Sequence, residues 1–305
     1  MSRPRVLVTP RSMSSGGSAA VARLEAAGYA VVTPAPGRQP TAAELTAAVP
    51  GAVGWVAGVE PITADILAHA DALRAISRNG TGSDAIDTAA AEAAGIRVLT
   101  ARGANAQGVA ELALTLALMG LRGLPPVADA LRAGRWERHT GREAAGRTLG
   151  IVGFGAIGRT LAGLAAALGM RVAAHDPFVA DGGGIPLLPL DELLRTSEIV
   201  SLHLPPSPAG PVLRATELAL LRDGAILVNT ARSTLVDEAA LLAALEDGRV
   251  GMYAVDAFDR EPPEPSPLLR HPRVVPTPHI GAATAESARR ASDAAVDNLL
   301  AALAG

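Results

Sequence analysis

The sequence predicts an α/β protein of two doubly wound parallel-sheet domains, and three observations predict it. Short apolar runs alternate with Ala/Leu-rich segments of helical length, first over residues 5–99 and again over 148–282. Such alternation builds parallel sheets covered on both faces. One stretch, TLGIVGFGAIGRTLAGLAAALGMRVAAHD at 148–176, reads strand, glycine turn, helix, strand, acid. The 305 residues are 49% hydrophobic and only 2% aromatic, which fits a large core of small aliphatic side chains.

In the first half, residues 5–9, 29–33, 51–57, 73–77 and 96–99 read as strands, and 19–27, 63–70 and 84–94 as helices. Gly28 and Gly95 suit helix C-termini, and Thr63 and Asp84 suit N-caps. Residues 107–121 form a longer helix, with Ala110, Leu114, Leu118 and Leu121 near one side. Its lack of polar residues fits a helix that joins two α/β units and packs on both. Pro125, Pro126 and the charged stretch 132–147 read as surface helix and arm.

The second half starts with a strand at 149–152, an Ala/Leu-rich helix ended by Gly169, and a strand at 172–174. Helices follow at 191–196, 216–221 and 237–246, and strands at 199–204, 225–229 and 251–257. The proline-rich DREPPEPSP is loop, 274–276 an edge strand, and 283–303 a last helix. Only a short loop precedes that helix, so it is expected to pack back on the first unit. The first domain is then discontinuous, residues 1–100 plus 283–305, and the second spans 101–282.

The glycines of the 148–176 stretch have separate tasks in a dinucleotide-binding Rossmann unit. Of Gly153, Gly155 and Gly158, one permits a tight turn, one lets backbone approach a pyrophosphate, and one packs the helix on the strand. The following helix offers unpaired N–H groups and its positive dipole end. Asp176 stands eighteen residues after the last glycine, where a carboxylate accepts from both ribose hydroxyls and repels a 2′-phosphate. NAD is therefore expected in preference to NADP.

A net charge of −3 gives no electrostatic case for nucleic acid or an anionic membrane surface. The absence of cysteine removes thiolate chemistry and disulfides, and no His/Asp/Glu cluster has metal-ligand spacing. The N-terminus lacks an apolar h-region, and the most apolar helical stretch, 112–121, is too short to span a bilayer. A cytoplasmic protein is the expectation.

Three loops, each after a strand of the second unit, carry residues with catalytic potential: Arg232 in NTARSTLVDE, Glu261 in FDREPPEP and His279 in TPHIGA. Strand carboxyl ends are where open α/β sheets bind ligands. Their types suit reduction of a 2-oxo acid: arginine as a charged fork for carboxylate and carbonyl oxygens, histidine as proton donor, and a carboxylate to orient it. A glycine-rich turn at Asn79, Gly80, Thr81 and Gly82, ahead of the helix expected from Asp84, is suited to hold an anion. His203 reads as a satisfied polar residue at a strand end, His69 and His271 as surface positions, and Met119 and Met170 as core.

The segments SRNGTGSDAID, NAQGVAELAL, LGIVGFGAIGR, SLHLPPSP, ILVNTARSTLVDE, AVDAFDREP and PTPHIGAAT resemble the D-2-hydroxyacid dehydrogenase family, in its phosphoglycerate dehydrogenase-like branch. The resemblance covers nearly the whole chain in the family's order. It implies a Rossmann domain and a flavodoxin-like substrate domain with an active cleft between them, a homodimer, and NAD-dependent, D-specific chemistry. It implies that Arg232, Glu261 and His279 are catalytic, and that Asn79, Gly80, Thr81 and Gly82 hold the substrate carboxylate. It further implies that Asp256 faces the nicotinamide carboxamide, Ile157 meets the pyrophosphate, and Leu204 and Pro205 lie on the adenosine side, with His175 nearby. Arg138 and His139 fall in an arm that either reaches the partner's cleft or packs in the dimer.

Four departures bear on the substrate. Where phosphoglycerate dehydrogenases carry a phosphate-binding arginine this chain reads Ala57-Gly58-Val59-Glu60, which argues against phosphoglycerate. Arg102 stands in place of a proline, either as a second anion site or as a surface residue. Ser233 replaces the glycine after the arginine. The chain ends soon after its last helix, so a C-terminal regulatory domain, and control by serine through it, are not expected. Arg11 and Arg78 are further anion candidates, and Arg11 or Arg102 with Arg232 would select a small dianionic 2-oxo acid. Two other readings share the Arg/Glu/His set: a non-catalytic NAD-sensing, corepressor-like protein, and a phosphite-type dehydrogenase. Formate dehydrogenases carry glutamine where Glu261 stands.

Overall fold

The computed structural model describes residues 3–206 and 209–304. Two compact units emerge, one holding residues 3–105 with 285–304 and the other 106–284. Each is a parallel α/β sheet, so the predicted fold class holds.

In the first unit, β1 (Arg5–Val8), β2 (Ala30–Val32), β3 (Ala52–Ala57), β4 (Ala75–Arg78) and β5 (Arg97–Thr100) are parallel in the order β2-β1-β3-β4-β5. Leu7, Trp55 and Ile76 pack on one face beneath Leu45 and Ile66. The other face is covered by helices 19–26 and Ala285–Ala304, through Leu24, Val296, Leu299 and Leu303. Contact there is close: a Cβ on Gly54 would come 2.9 Å from Leu303 Cδ1 and 3.1 Å from Leu299 Cδ1. Arg74 donates to the carbonyl of Leu303, and Asn298 to that of Thr100, which fixes the terminal helix along the sheet.

The second unit orders β6 (Thr148–Val152), β7 (Arg171–His175), β8 (Ile199–Leu202), β9 (Ala225–Asn229), β10 (Val250–Val255) and β11 (Val274–Pro276) as β11-β10-β9-β8-β6-β7. Every pairing is parallel, so all six carboxyl ends lie along one edge. The chain leaves β6 for β7 on one side and then crosses to β8 on the other. The end of β6 is thus the switch point where such sheets bind ligands. Helices Ala106–Arg122 and Ala156–Ala167 cover one face with Leu116 and Leu161 over Ile151 and Ile226. Leu193, Leu213, Leu241 and Leu245 cover the other, over Leu202, Leu227 and Tyr253.

Several local readings differ from the structure. Residues 42–48, left without an element above, form a helix started by a capping box: Thr41 Oγ1 accepts from Glu44 N–H and the Glu44 carboxylate accepts from Thr41 N–H. The helix expected from residue 84 begins at Thr88, with Asp87 as its N-cap. Residues before it are drawn into an extended bridge, since Ile62 N–H donates to the Ala85 carbonyl and Asp87 N–H to that of Ile62. The strand expected over 199–204 stops at Leu202, because its partners β6 and β9 end opposite it at Val152 and Asn229. The surface helix and arm are found as expected, the helix at Leu124–Arg132 with proline in its first turn, where a missing N–H costs nothing, and the arm after it.

Candidate active site

Every strand of the second sheet delivers one candidate residue or loop to its carboxyl edge. The glycine turn follows β6, Asp176 follows β7, Leu204 and Pro205 follow β8, Arg232 follows β9, Asp256 and Glu261 follow β10, and His279 follows β11.

The three glycines divide their tasks. Gly153 has φ +94°, and a Cβ there would sit 2.5 Å from the His203 carbonyl oxygen. A Cβ on Gly158 would be 2.3 Å from the Gly153 carbonyl oxygen, so helix and strand touch there. Gly155, the N-cap of helix Ala156–Ala167, has no protein atom within 4 Å of its would-be Cβ. Internal packing demands the outer two glycines, whereas the middle one leaves open space at the N-terminus of a twelve-residue helix. This is the room a pyrophosphate needs, and Ile157 lies in the same first turn. The residues present therefore fit a dinucleotide.

Asp176 accepts from Phe154 N–H at 2.8 Å through one oxygen and from Phe178 N–H at 2.9 Å through the other, which fixes it beside the glycine turn. Each oxygen retains acceptor capacity for a ribose hydroxyl. Phe178, which the sequence reading passed over, is 95% exposed in this loop. Its ring stands in water in the same loop as the Asp176 carboxylate. His175, expected near the adenosine, is joined through Nδ1 to the Leu188 carbonyl. His203 contacts Ser201 Oγ through Nε2 at 2.8 Å, and desolvation pushes its pKa down to about 3. It is neutral, in keeping with a satisfied strand-end residue.

The reactive loops are organised from below by buried polar residues that end apolar strands. Asn229, fully buried at the end of β9, accepts from Ala231 N–H and donates to the Arg232 carbonyl and to Tyr253 Oη. Arg232 is half-buried and donates to the Ala231 carbonyl at 2.7 Å. Ser233 Oγ donates to Asp259 at 2.7 Å, which ties the arginine loop to the loop bearing Glu261. The structure thus gives the serine a bond that glycine could not make.

His279 Nδ1 lies 2.7 Å from Glu261 Oε1. A carboxylate only accepts, so Nδ1 carries the proton, and Nε2 is the nitrogen left for a reacting oxygen. The Phe258 N–H donates to the same glutamate oxygen at 3.2 Å. His279 itself has φ +53°, the left-handed region, which costs an L-residue roughly 1–2 kcal/mol. Asp256, expected to face the nicotinamide, is only 1% exposed and accepts from Thr277 Oγ1, Ile280 N–H and Gly281 N–H.

In the first unit, the Asn79–Gly82 turn follows β4. Asn79 N–H donates to the Ala57 carbonyl and Gly80 N–H to that of Arg78, so these two amides are committed within the protein. Among the described residues, the Thr81 and Gly82 backbone amides of this turn make no recorded hydrogen bond, and the helix beyond starts only at Thr88. Glu60, in the Ala57–Glu60 loop, is buried, hydrogen-bonded to Thr9 Oγ1 and accepting from Gly58 N–H at 2.8 Å. Arg11, itself exposed, opens a short helix after β1 whose Met13 and Ser14 are buried. Arg102 is exposed in the turn after β5 and borders an open groove of about 730 Å³ with Arg97, Thr88, Glu92 and Asn298. The His139 ring packs on Gly123 of its own chain, and Arg138 stacks near Trp136.

The chain has clear relatives. Residues 114–281 match the D-isomer specific 2-hydroxyacid dehydrogenase, NAD binding domain. D-3-phosphoglycerate dehydrogenase of Mycobacterium bovis is 41% identical over 270 residues, covering 86% of this chain and 51% of that protein. The chain thus spans about half the length of that relative. Hydroxypyruvate reductase of Thermotoga maritima is 40% identical over 236 residues, 75% of this chain and 77% of its own. The crystal structure of the TT0316 protein from Thermus thermophilus superposes with a TM-score of 0.87 at 38% identity, covering 99% of this chain and 97% of that one. A match spanning more than half of the chain, on a sheet edge that holds the glycine turn and the His279–Glu261 pair, makes this protein a member of the D-isomer specific 2-hydroxyacid dehydrogenase family.

Proposed function

We propose that the chain catalyses the NAD-dependent, D-specific interconversion of a small anionic 2-oxo acid and its 2-hydroxy acid. The observation that carries the reading is the 2.7 Å contact of His279 Nδ1 with Glu261, on the sheet edge that also bears Arg232 and the open glycine turn. When bound, the reduced nicotinamide supplies a hydride to the keto carbon. Arg232 holds carboxylate and carbonyl oxygens and stabilises the charge that grows on the carbonyl oxygen. His279 Nε2–H delivers the proton to that oxygen, and Glu261 stabilises the imidazolium that precedes this transfer. One 2-oxo acid, one hydride and one proton give one 2-hydroxy acid. The Thr81 and Gly82 amides are assigned to the substrate carboxylate.

NAD is proposed over NADP because Asp176, held by two backbone amides, would face a 2′-phosphate with like charge. A second substrate anion is assigned to Arg11 or Arg102, and alanine at both should then abolish any preference for dianionic over monoanionic acids. A homodimer is proposed on Leu131 and Trp136, 59% and 77% exposed on the 124–141 segment, and light scattering would read it.

The test is NADH oxidation against glyoxylate, hydroxypyruvate, pyruvate, oxaloacetate, 2-oxoglutarate, phosphonopyruvate and 3-phosphohydroxypyruvate. Turnover of at least one acid, lowered about a hundredfold or more in His279→Ala, is expected. Tight NADH binding without any turnover would overturn the dehydrogenase reading in favour of a sensor.

A further inference from the structure

Among the described residues, His279 is the one non-glycine with positive φ. Such a conformation persists only where its surroundings over-determine it. Here one side chain contributes three of the hydrogen bonds that surround the turn. Asp256 Oδ1 accepts from Thr277 Oγ1 at 2.6 Å and from Ile280 N–H at 2.8 Å, and Oδ2 accepts from Gly281 N–H at 2.8 Å. These donors flank His279 on both sides. Thr277 is anchored in turn, its N–H donating to the Val255 carbonyl and its own carbonyl accepting from His279 N–H, each at 2.9 Å.

A carboxylate removed from water needs donors or a cation. Asp256 is 1% exposed and, among the described residues, its donors all come from the 277–281 turn, with no arginine or histidine among them. The fit is tight as well: a Cβ on Gly281 would lie 3.0 Å from Asp256 Oδ2 and 3.3 Å from Val109. In the arrangement by which the turn satisfies this carboxylate, His279 takes its left-handed conformation.

We infer that Asp256 is a positioning residue: by gathering Thr277, Ile280 and Gly281 it holds His279 with Nδ1 on Glu261 and Nε2 free for the substrate oxygen. The inference rests on His279 being the proton donor of the reaction proposed above. It assigns Asp256 a task different from accepting a hydrogen bond from a nicotinamide carboxamide, and the two tasks have different signatures. A cofactor contact acts on NADH affinity. A positioning contact acts on kcat, and on the imidazole even without cofactor.

The experiment compares Thr277→Val, Thr277→Ser and Asp256→Asn with the parent chain. Thr277→Val removes one donor to Asp256 while leaving the carboxylate in place. We expect kcat to fall about tenfold, with the dissociation constant for NADH unchanged within about twofold, and Thr277→Ser to restore kcat. Nitrogen-15 spectra of the imidazoles in the cofactor-free protein should show His279 as a single Nδ1–H tautomer in the parent and Thr277→Ser chains. In Thr277→Val and Asp256→Asn the two ring nitrogens should average. Unchanged kcat and an unchanged His279 spectrum in both Thr277→Val and Asp256→Asn would overturn the inference. So would a loss confined to NADH affinity. Should the parent turn over no 2-oxo acid, the dehydrogenase reading fails by itself, and the spectra of the cofactor-free chains still decide the role of Asp256.

Discussion

His203 shows how a single half-buried side chain ties stability to pH. Its pKa falls from an ordinary 6.5 to about 3 because desolvation penalises the charged ring. Between those values the unfolded chain binds a proton that the folded chain refuses, so stability rises with pH across the window and is lost as pH falls from 6.5 towards 3. The slope from this one residue reaches about 1.4 kcal/mol per pH unit. His203→Gln should therefore lose less stability than the parent between neutral and mildly acidic pH in urea unfolding, and parallel curves would refute this account. Nothing in the sequence announces the shift, since SLHLPP shows a histidine at a strand end but not the closure of the surrounding loops over it.

At the scale of an element, the turn from β6 into its helix separates folding from binding. Gly155→Ala adds a methyl group to open space at an ordinary φ of −78°. The expected result is a thermal midpoint within about 2 °C of the parent and NADH affinity weakened by about tenfold or more, because the methyl occupies the approach of the pyrophosphate. Gly158→Ala forces a Cβ to 2.3 Å from the Gly153 carbonyl, which backbone movement must relieve. Overpacking of this kind costs about 1–3 kcal/mol, so calorimetry should show a clear loss of stability. Equal destabilisation by both substitutions would mean that Gly155 is a packing glycine like its neighbours. The motif was legible from spacing alone, whereas which glycine serves which task became visible only from distances across the turn.

For the whole molecule, the terminal helix Ala285–Ala304 completes the sheet formed by the first hundred residues, so two distant parts of the chain share one core. Leu299 is fully buried against that sheet, and Leu299→Ala should cost about 2–5 kcal/mol. The loss belongs to one unit. Hydrogen exchange should accelerate in β1, β3 and β4 while protection of β6 and β8 stays near the parent level. Uniform acceleration through both sheets would show instead that the chain unfolds as a single cooperative body.

Element type, parallel class and the dinucleotide turn were readable without coordinates, because alternation, apolar periodicity and glycine spacing are properties of neighbouring residues. The capping box of Thr41 and Glu44 was equally local and could have been found the same way. The start of the helix at Thr88 was not local: Ile62, more than twenty residues earlier, draws residues 85–87 into a bridge. The candidate site divides along the same line. Arg232, Glu261 and His279 stood out by chemical type and by their places after strands. Tertiary packing alone decided that Asp256 turns inward to gather the His279 loop, that Asn229 fastens the Arg232 turn, and that Ser233 reaches Asp259. A buried polar group must find its partners in space, and the chain order that sets local conformation does not say which loops will meet around it.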